Sequence, residues 1–250
     1  MGVTEGGPPM GNLRNLPFEL IGTRLDVLEA AGWTVEDLER LNKSRSREAL
    51  AVLRGTMTPM EERGMSTNAQ IGRIIAWYMK YTGKNLLVEA IEQALPERQP
   101  GFDRLIVVAS EMTPNRCYAT LEKQFGAESM CSYIENLANT VTSVRKTKKL
   151  YAVWCRNQKE ADKENRNETA NHFKQNKCLT LEERLIFEGL YFAETGEHLD
   201  GKCYTICAGS RDHDGRVPGV SWDPADRRVR VHWCYADNRY SDSAVRSAVS

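Results

Sequence analysis

The chain has 250 residues, of which 41% are hydrophobic and 27% charged, and its 34 basic residues equal its 34 acidic ones. This composition is typical of a packed globular protein and argues against general disorder. Because the basic and acidic residues balance, the chain has no net positive charge that would attract nucleic acid. No apolar run approaches the roughly 20 residues that a membrane span needs, and no signal-peptide pattern is found. Seven dispersed cysteines without a CxxC pair favour reduced thiols over a disulfide framework. We therefore expect a cytoplasmic protein without a membrane span.

The first 98 residues predict a leader followed by a helical module. Residues 1–15 are rich in glycine and proline, which is typical of a disordered leader. Residues 16–98 carry almost no strand signal, and their apolar residues recur at helical spacing. The predicted helices cover residues 20–28, 34–41, 49–53, 71–79 and 87–95.

Residues 99–250 predict an α+β domain. The short apolar runs at 105–109 (LIVVA) and 150–156 (LYAVWCR) are typical of buried strands. Thr113 followed by Pro114 predicts the start of a helix. Thr180 with Glu183 forms a capping-box pattern, which predicts a helix over residues 181–195 that ends at Gly196.

The C-terminal segment predicts antiparallel strands. Residues 204–208 are strand-like, and residues 220–222 and 229–233 alternate apolar and polar side chains with period two. Val229, Val231 and Trp233 would share one face of the last strand, opposite Arg228, Arg230 and His232. From residue 203 onward the chain contains no Lys, Glu, Gln, Leu, Met or Phe, which is unusual for an ordinary globular segment.

The sequence offers no catalytic or metal-binding pattern. Cys203 and Cys207 lie four residues apart in a strand-like run, and no histidine stands at a zinc-ligand spacing. Glu182, Glu183 and Glu194 are expected on the solvated side of their helix, as surface charge rather than a pair of catalytic acids. Phosphate-binding glycine loops, nucleophile elbows and kinase motifs are absent from the sequence. We therefore predict no catalytic residue, no metal site and no cofactor.

A basic stretch leaves one alternative open. Residues 141–180 contain ten Lys and Arg against four Asp and Glu, with Tyr151 and Trp154 among them. Such a stretch is typical of a nucleic-acid footprint, and equally of a solvated connecting face, because no nucleic-acid motif accompanies it.

Four C-terminal motifs carry a family resemblance. They are CAGSR at 207–211, GRVPGVSW at 215–222, VRVHW at 229–233 and RSAVS at 246–250. Together they resemble the variable protein of a diversity-generating retroelement, of the type with a C-type lectin fold. The segments beginning FDRLIVV, KLYAVWC and LTLEERL resemble the body of the same group, so the resemblance covers about residues 100–250. It departs from the group at Ala236, Asp237 and Ser243.

The resemblance implies a mechanism of diversification and a set of site residues. A reverse transcriptase copies a template repeat with substitutions at adenines, so that AAY codons become NNY codons, which cannot encode Lys, Glu, Gln, Met or Trp. The variable region would span about residues 209–250. Its ligand-binding positions would be Asp212, His213, Arg216, Gly219, Ser221, Arg230, His232, Cys234, Tyr235, Asn238, Tyr240 and Asp242. Its scaffold positions would be Gly209, Ser210, Arg211, Gly215, Val217, Pro218, Val220, Trp222, Val229, Val231, Trp233, Arg246 and Val249.

The implied function is recognition of a ligand, above all a protein, without catalysis. The variable positions from Arg216 to Asp242, apart from Cys234, are expected to form one contiguous exposed patch. Cys234 is expected to be an accident of mutagenesis, whose replacement leaves stability unchanged. Calcium-dependent sugar binding is not implied, because the EPN, QPD and WND motifs are absent. The alternatives are a nucleic-acid-associated protein and an enzyme like the formylglycine-generating family, which would need Cys203 and Cys207 in one cleft. The oligomeric state is left open.

Overall fold

The computed structural model describes residues 66–250, so the predicted leader and the predicted helices before residue 66 lie outside the described residues. The first described helix, α1, spans Thr67–Thr82, and its N-cap Ser66 accepts a hydrogen bond from the backbone N–H of Ala69. Gly83 ends it in the left-handed conformation, at φ 71°. A short helix, α2, follows at Val88–Gln93. Both agree with the predicted helical pattern of residues 71–95.

A two-stranded antiparallel ribbon and two helices form the centre of the α+β domain. Strand β1 (Arg104–Val108) pairs with β4 (Tyr151–Cys155), and every β1 residue is buried. Helix α3 (Pro114–Phe125) begins at Thr113 as predicted. Helix α5 (Leu181–Thr195) has the complete capping box and ends at Gly196 with φ 73°, also as predicted. The connecting elements are β2 (Met130–Ser132), α4 (Leu137–Thr140) and β3 (Thr142–Ser143).

The C-terminal half forms a five-stranded sheet in the order β2-β8-β7-β5-β9. Its strands are β5 (Tyr204–Ile206), β7 (Val217–Asp223), β8 (Arg228–Cys234) and β9 (Ser243–Val245), joined by β2. The central pairs β5–β7 and β7–β8 are antiparallel, as predicted, whereas both edge strands pair in parallel. Strand β6 (Ser210–Arg211) pairs separately with β3. The architecture is mixed α and β, in agreement with the predicted α+β class.

The main hydrophobic core lies between the inner face of this sheet, helix α5 and the β1–β4 ribbon. Val220, Val229 and Val231 from the sheet are fully buried in the same cluster as Leu185 and Ile106. Within residues 66–250, no helix combines the length and the apolar character that crossing a membrane would require.

The expectation that Glu182, Glu183 and Glu194 lie on a solvated face is wrong. Glu182 and Glu183 are buried, and Glu194 is largely covered. Each carboxylate has a specific partner: the Ser143 hydroxyl donates to Glu182 over 2.7 Å, and Arg145 and Arg104 pair with Glu183 and Glu194 over 2.6 Å. Helix α5 is buried over residues 181–190 because other elements surround it, so its polar residues serve as internal hydrogen-bonding groups.

A buried ionic network ties helix α5 to the C-terminal strand. Asp200 accepts hydrogen bonds from Arg184 over 2.9 Å and from Arg246 over 2.7 Å, and Arg184 also pairs with Glu188 over 2.8 Å. All four charged side chains are at most 1% exposed. Arg246, predicted as a scaffold residue, is therefore at the centre of the domain.

Candidate functional site

The β7–β8 hairpin sorts the C-terminal residues onto two faces of the sheet. Ser221 lies opposite Arg230 and Gly219 opposite His232, and paired residues project to the same side. These four residues share the outer face, whereas Val220, paired with Val231, belongs to the buried inner face. The period-two alternation read from the sequence is therefore present in the structure.

Loops cover half of the outer face. A second hydrophobic cluster lies in this covered part, and Phe173, Tyr204, Ala236 and Tyr240 pack against it. It consists of Ala170, Cys178, Ile206, Ala208, Val217, Cys234 and Val245. We call the partly exposed residues of this face the open face, in which Tyr204 and Tyr240 border the cluster. Its members are partly exposed: Tyr204, Ser221, Arg230, His232 and Tyr240.

Aromatic contacts organise the open face. The Tyr204 ring lies edge-on to His232, with centroids 4.9 Å apart, and 6.0 Å from the Tyr240 ring. The Tyr240 hydroxyl oxygen accepts a hydrogen bond from the backbone N–H of Tyr235 over 3.0 Å and a longer one from the Asn238 amide over 3.5 Å. These hydrogen bonds fix the loop after β8 internally, and the contact between the Tyr204 and Tyr240 rings joins that loop to the open face.

Ion pairs fix Arg230 at the turn end of the hairpin. Its guanidinium pairs with Asp223 over 2.8 Å and also with Asp226. Asp223 in turn accepts the backbone N–H groups of Ala225 and Asp226, which shapes the turn. Arg230 therefore presents a positioned, partly exposed cation whose charge is already balanced.

Sequence reasoning missed two aromatic residues of this region. Tyr204 belongs to the open face, and Tyr133, which is 63% exposed, follows β2 beside the edge of the sheet. Strands β2 and β5 have only three residues each, so the sequence pattern does not predict with which strands they pair. The sheet order, which places β5 beside β7 and β2 beside β8, decides these positions.

The predicted single patch is wrong, because a second group of residues lies elsewhere. Arg216 places its guanidinium 5.0 Å from the centre of the Trp233 ring. Trp233 projects from β8 to the opposite side from its neighbour His232. Asp212 is buried and accepts hydrogen bonds from the backbone N–H and guanidinium of Arg216, both over 2.7 Å, while His213 is exposed beside it. These three residues form a loop cluster separate from the open face.

Gly219, predicted as part of the exposed patch, and Cys234, predicted as a variable ligand-binding position, are both buried. Both lie on the outer face of the sheet, but in its covered part. A Cβ at Gly219 would stand 2.7 Å from Nε2 of His232 and 2.9 Å from Sγ of Cys234. Cys234 is 2% exposed and packs in the second hydrophobic cluster, and burial raises the pKa of its thiol to about 12. The alternation along a strand predicts which face of the sheet a side chain lies on. Whether that side chain is buried depends on what packs over the face.

Substituting Gly219 with alanine is expected to destabilise the protein by about 1–2 kcal/mol, because the added methyl group displaces His232 and Cys234. Equilibrium urea unfolding measures this change, with Ser221→Ala on the same strand as the near-neutral control. His232→Ala in the Gly219→Ala background should restore part of the loss, since it removes one clash. Equal stability of Gly219→Ala and wild type would show that the position tolerates side chains after all.

Five of the predicted scaffold residues, Gly209, Arg211, Trp222, Trp233 and Arg246, make contacts that suit that role. A Cβ at Gly209 would approach the carbonyl oxygen of Cys178 to 2.8 Å, so glycine is needed for close backbone packing. Arg211 donates to the carbonyl oxygens of Ala208 and Ser210 over 2.7 and 2.9 Å. Trp222 stacks on His198 at 3.6 Å. Trp233 and Arg246 make the ring and network contacts described above.

The electrostatic surroundings of His232 predict a neutral imidazole at pH 7. Burial lowers its pKa below the ordinary value of 6.5, Asp242 opposes this shift, and Arg230 adds to it. Between the two pKa values the unfolded chain binds the proton more strongly, so stability is full above pH 6.5 and decreases as the pH falls below it.

We expect NMR titration of the His232 ring to give a pKa below 6.5. Asp242→Asn should lower this pKa further, because it removes the opposing negative charge, and Arg230→Ala should raise it. His232→Gln should reduce the loss of stability between pH 7 and pH 5.5 in urea unfolding. A measured pKa at or above 6.5 would contradict the burial of the ring.

The enzymatic alternative requires Cys203 and Cys207 in one cleft, but the two side chains pack in different hydrophobic clusters. Cys203 packs with Ala161 and Ala244, whereas Cys207 belongs to the main core. Burial raises the pKa of both thiols, which disfavours a reactive thiolate. Ligand atoms of Glu160, Asp200 and Cys203 do lie within 4.8 Å of one another. The Asp200 oxygens, however, already accept hydrogen bonds from arginines, and Glu160 accepts one from the Cys203 backbone.

The basic stretch at 141–180 is only partly available to a nucleic acid. Arg145 donates to Glu183 and to two backbone carbonyl groups, and Arg156 pairs with Asp162 over 2.7 Å. Lys159 pairs with Glu197 over 3.1 Å. The remaining seven basic residues are exposed. Three of the ten cations are therefore engaged within the protein, and the seven exposed ones leave this alternative open.

Comparisons of the chain with protein-family models, with curated proteins and with solved structures found no match. A functional assignment therefore depends on the geometry of the open face and on the composition of the segment that builds it.

Proposed function

We propose that this protein recognises ligands through the open face, as a variable protein of a diversity-generating retroelement with a C-type lectin fold. The observation that carries the proposal is the grouping of predicted variable positions. Ser221, Arg230 and His232 share the outer face of the β7–β8 hairpin, and Tyr240 in the following loop reaches the same face through its contact with Tyr204. Hydrophobic residues that alternate with them in β7 and β8 pack into the core.

The chemistry of the open face suits a protein ligand. Tyrosine and arginine are enriched at the energetically dominant positions of protein interfaces, and tyrosine supplies a large contact area with few rotatable bonds. Tyr235, 65% exposed, extends this aromatic surface along the loop. Aromatic residues and arginine are also enriched at protein–protein interfaces compared with the rest of a protein's surface.

The composition of the C-terminal segment supports diversification at NNY codons. Lys, Glu, Gln and Met, which NNY codons do not encode, are absent from residue 203 onward. Trp222 and Trp233, which they do not encode either, alternate with open-face positions and pack against the core. Leu and Phe are also absent, although NNY encodes both, and nothing in the structure explains this.

Sequencing the DNA next to the gene tests the proposal. We expect a near-copy of the segment that encodes about residues 209–250, beside a reverse transcriptase gene. The two copies should differ at adenines, in the codons of open-face positions such as Ser221, Arg230 and Tyr240. Absence of such a repeat from the surrounding genome, or differences spread evenly over core codons, would overturn the assignment.

A further inference from the structure

One corner of the open face combines aromatic rings with a carboxylate. The Tyr204 ring stands between His232, at 4.9 Å and 74°, and Tyr240, at 6.0 Å and 62°. Asp242 is exposed, and its backbone carbonyl accepts a hydrogen bond from the backbone N–H of Tyr204 over 2.9 Å. We call these four residues the aromatic corner. Tyr204 and Tyr240 pack on one side against the second hydrophobic cluster, and both remain partly exposed beside the exposed Asp242.

The negative charge of the aromatic corner is not balanced by a neighbour. Within residues 66–250, the Asp242 carboxylate takes part in no ion pair. The nearby cations have other partners: Arg230 pairs with Asp223 and Asp226, and Arg239 pairs with Glu168 over 3.4 Å. The backbone hydrogen bond places Asp242 next to Tyr204. Burial is the main cause that raises the pKa of Tyr204 and of the Cys234 thiol, and the negative charge of Asp242 adds to both shifts.

From this arrangement we infer that the aromatic corner binds a cationic side chain, arginine or lysine, of a protein partner. The cation would lie against the Tyr204 and Tyr240 rings and pair with Asp242. Negatively charged ring faces and an unpaired carboxylate attract a cation and disfavour an anionic group. The inference rests on the proposed function, because it assigns a partner chemistry to part of the same surface.

The inference also separates a constant part of the corner from a changeable one. Tyr204 lies before the predicted variable region of residues 209–250, whereas Tyr240 and Asp242 lie within it. Diversification would therefore keep one ring and alter the carboxylate beside it. Asp242 becomes the specificity-determining residue: variants of this protein that carry a neutral residue at position 242 should lose the preference for cations.

NMR titration of the full chain with N-acetyl-arginine methylamide tests the inference. The isosteric citrulline derivative is the neutral control, and the glutamate derivative is the anionic control. We expect the arginine probe to shift the ring resonances of Tyr204, His232 and Tyr240, and the other two to bind more weakly. Asp242→Asn should weaken arginine binding about two- to fivefold, as expected for an exposed ion pair, without changing citrulline binding. Asp214→Asn should change neither, because Asp214 is an exposed carboxylate that pairs with His213 next to the separate loop cluster.

Equal binding of arginine and citrulline, unchanged arginine binding in Asp242→Asn, or preferred binding of the glutamate probe would each overturn the inference. Thermal unfolding of each variant by circular dichroism verifies that it is folded. Failure of the proposed function has a different signature. Suppose that protein ligands bind, that Arg230→Ala abolishes their binding, and that the arginine probe does not bind. These results would support the proposed function and contradict only the inference. If the probe binds but no protein ligand uses the open face, the proposed function falls.

Discussion

Replacing Arg246 with alanine is expected to lower the free energy of unfolding by about 3–5 kcal/mol, because it breaks a buried ionic network. The guanidinium of Arg246 donates to Asp200 over 2.7 Å and to the Thr205 hydroxyl over 3.0 Å. It also donates to the carbonyl oxygens of Gln158 and Lys159 over 3.0 and 2.8 Å. Its removal would take one donor from the Thr205 hydroxyl and the Gln158 carbonyl group, whereas the Lys159 carbonyl group would keep the backbone N–H of Asp200. Asp200 would keep only Arg184 as a cationic partner.

Equilibrium denaturant unfolding of the full chain, followed by circular dichroism, measures the effect. Arg239→Ala is the matched control, because Arg239 is exposed and its pair with Glu168 is a surface contact. Arg246→Lys should still be strongly destabilised, since one ammonium group cannot replace donors that point in several directions. A loss below about 1 kcal/mol for Arg246→Ala would contradict the network's role in joining α5 to β9.

Replacing Trp222 with alanine is expected to cost about 3 kcal/mol, near the low end for large aromatic residues because the ring is only partly buried. The indole stacks on His198 at 3.6 Å with an interplanar angle of 8°. His198 in turn hydrogen-bonds to Glu188, a member of the buried network, over 2.9 Å. Loss of the indole therefore removes packing and also the support of a side chain that contacts the network.

Ser221→Ala, one residue earlier on β7, is the control for Trp222→Ala. Ser221 projects to the open face, so its replacement should change stability by less than about 0.5 kcal/mol. Urea unfolding of both variants under identical conditions gives the comparison. Losses of similar size at the two positions would show that the two faces of the hairpin do not differ in their tolerance.

Local rules predicted the elements of this domain well. The Thr180 and Glu183 pair specified where α5 begins, and Gly196 specified where it ends, because capping depends only on residues within one turn. The alternation over residues 229–233 specified the two faces of β8 for the same reason, since neighbouring side chains of a strand point to opposite sides. The antiparallel β7–β8 hairpin follows from these patterns.

Long-range contacts decided what the sequence could not predict. Glu183 is buried because Arg145, 38 residues away, pairs with it, and charge alone indicates a surface residue. Cys234 is buried because the loop containing Ala170 and Phe173 packs over that end of the outer face. Tyr204 joins the candidate site because β5 pairs with β7. None of these neighbours is close in the chain.

The most direct test of the central claim compares two libraries of the full chain displayed on phage. One randomises Ser221, Arg230, His232 and Tyr240 with NNY codons, and the other randomises Asp212, Gly219, Val217 and Cys234 in the same way. Resistance to proteolysis measures the folded fraction of each library. We predict that most members of the open-face library remain folded and that selection against an unrelated purified protein yields binders, whereas most members of the second library unfold. Equal folded fractions in the two libraries, or binders from the second library alone, would contradict the claim that the open face is the tolerant recognition surface.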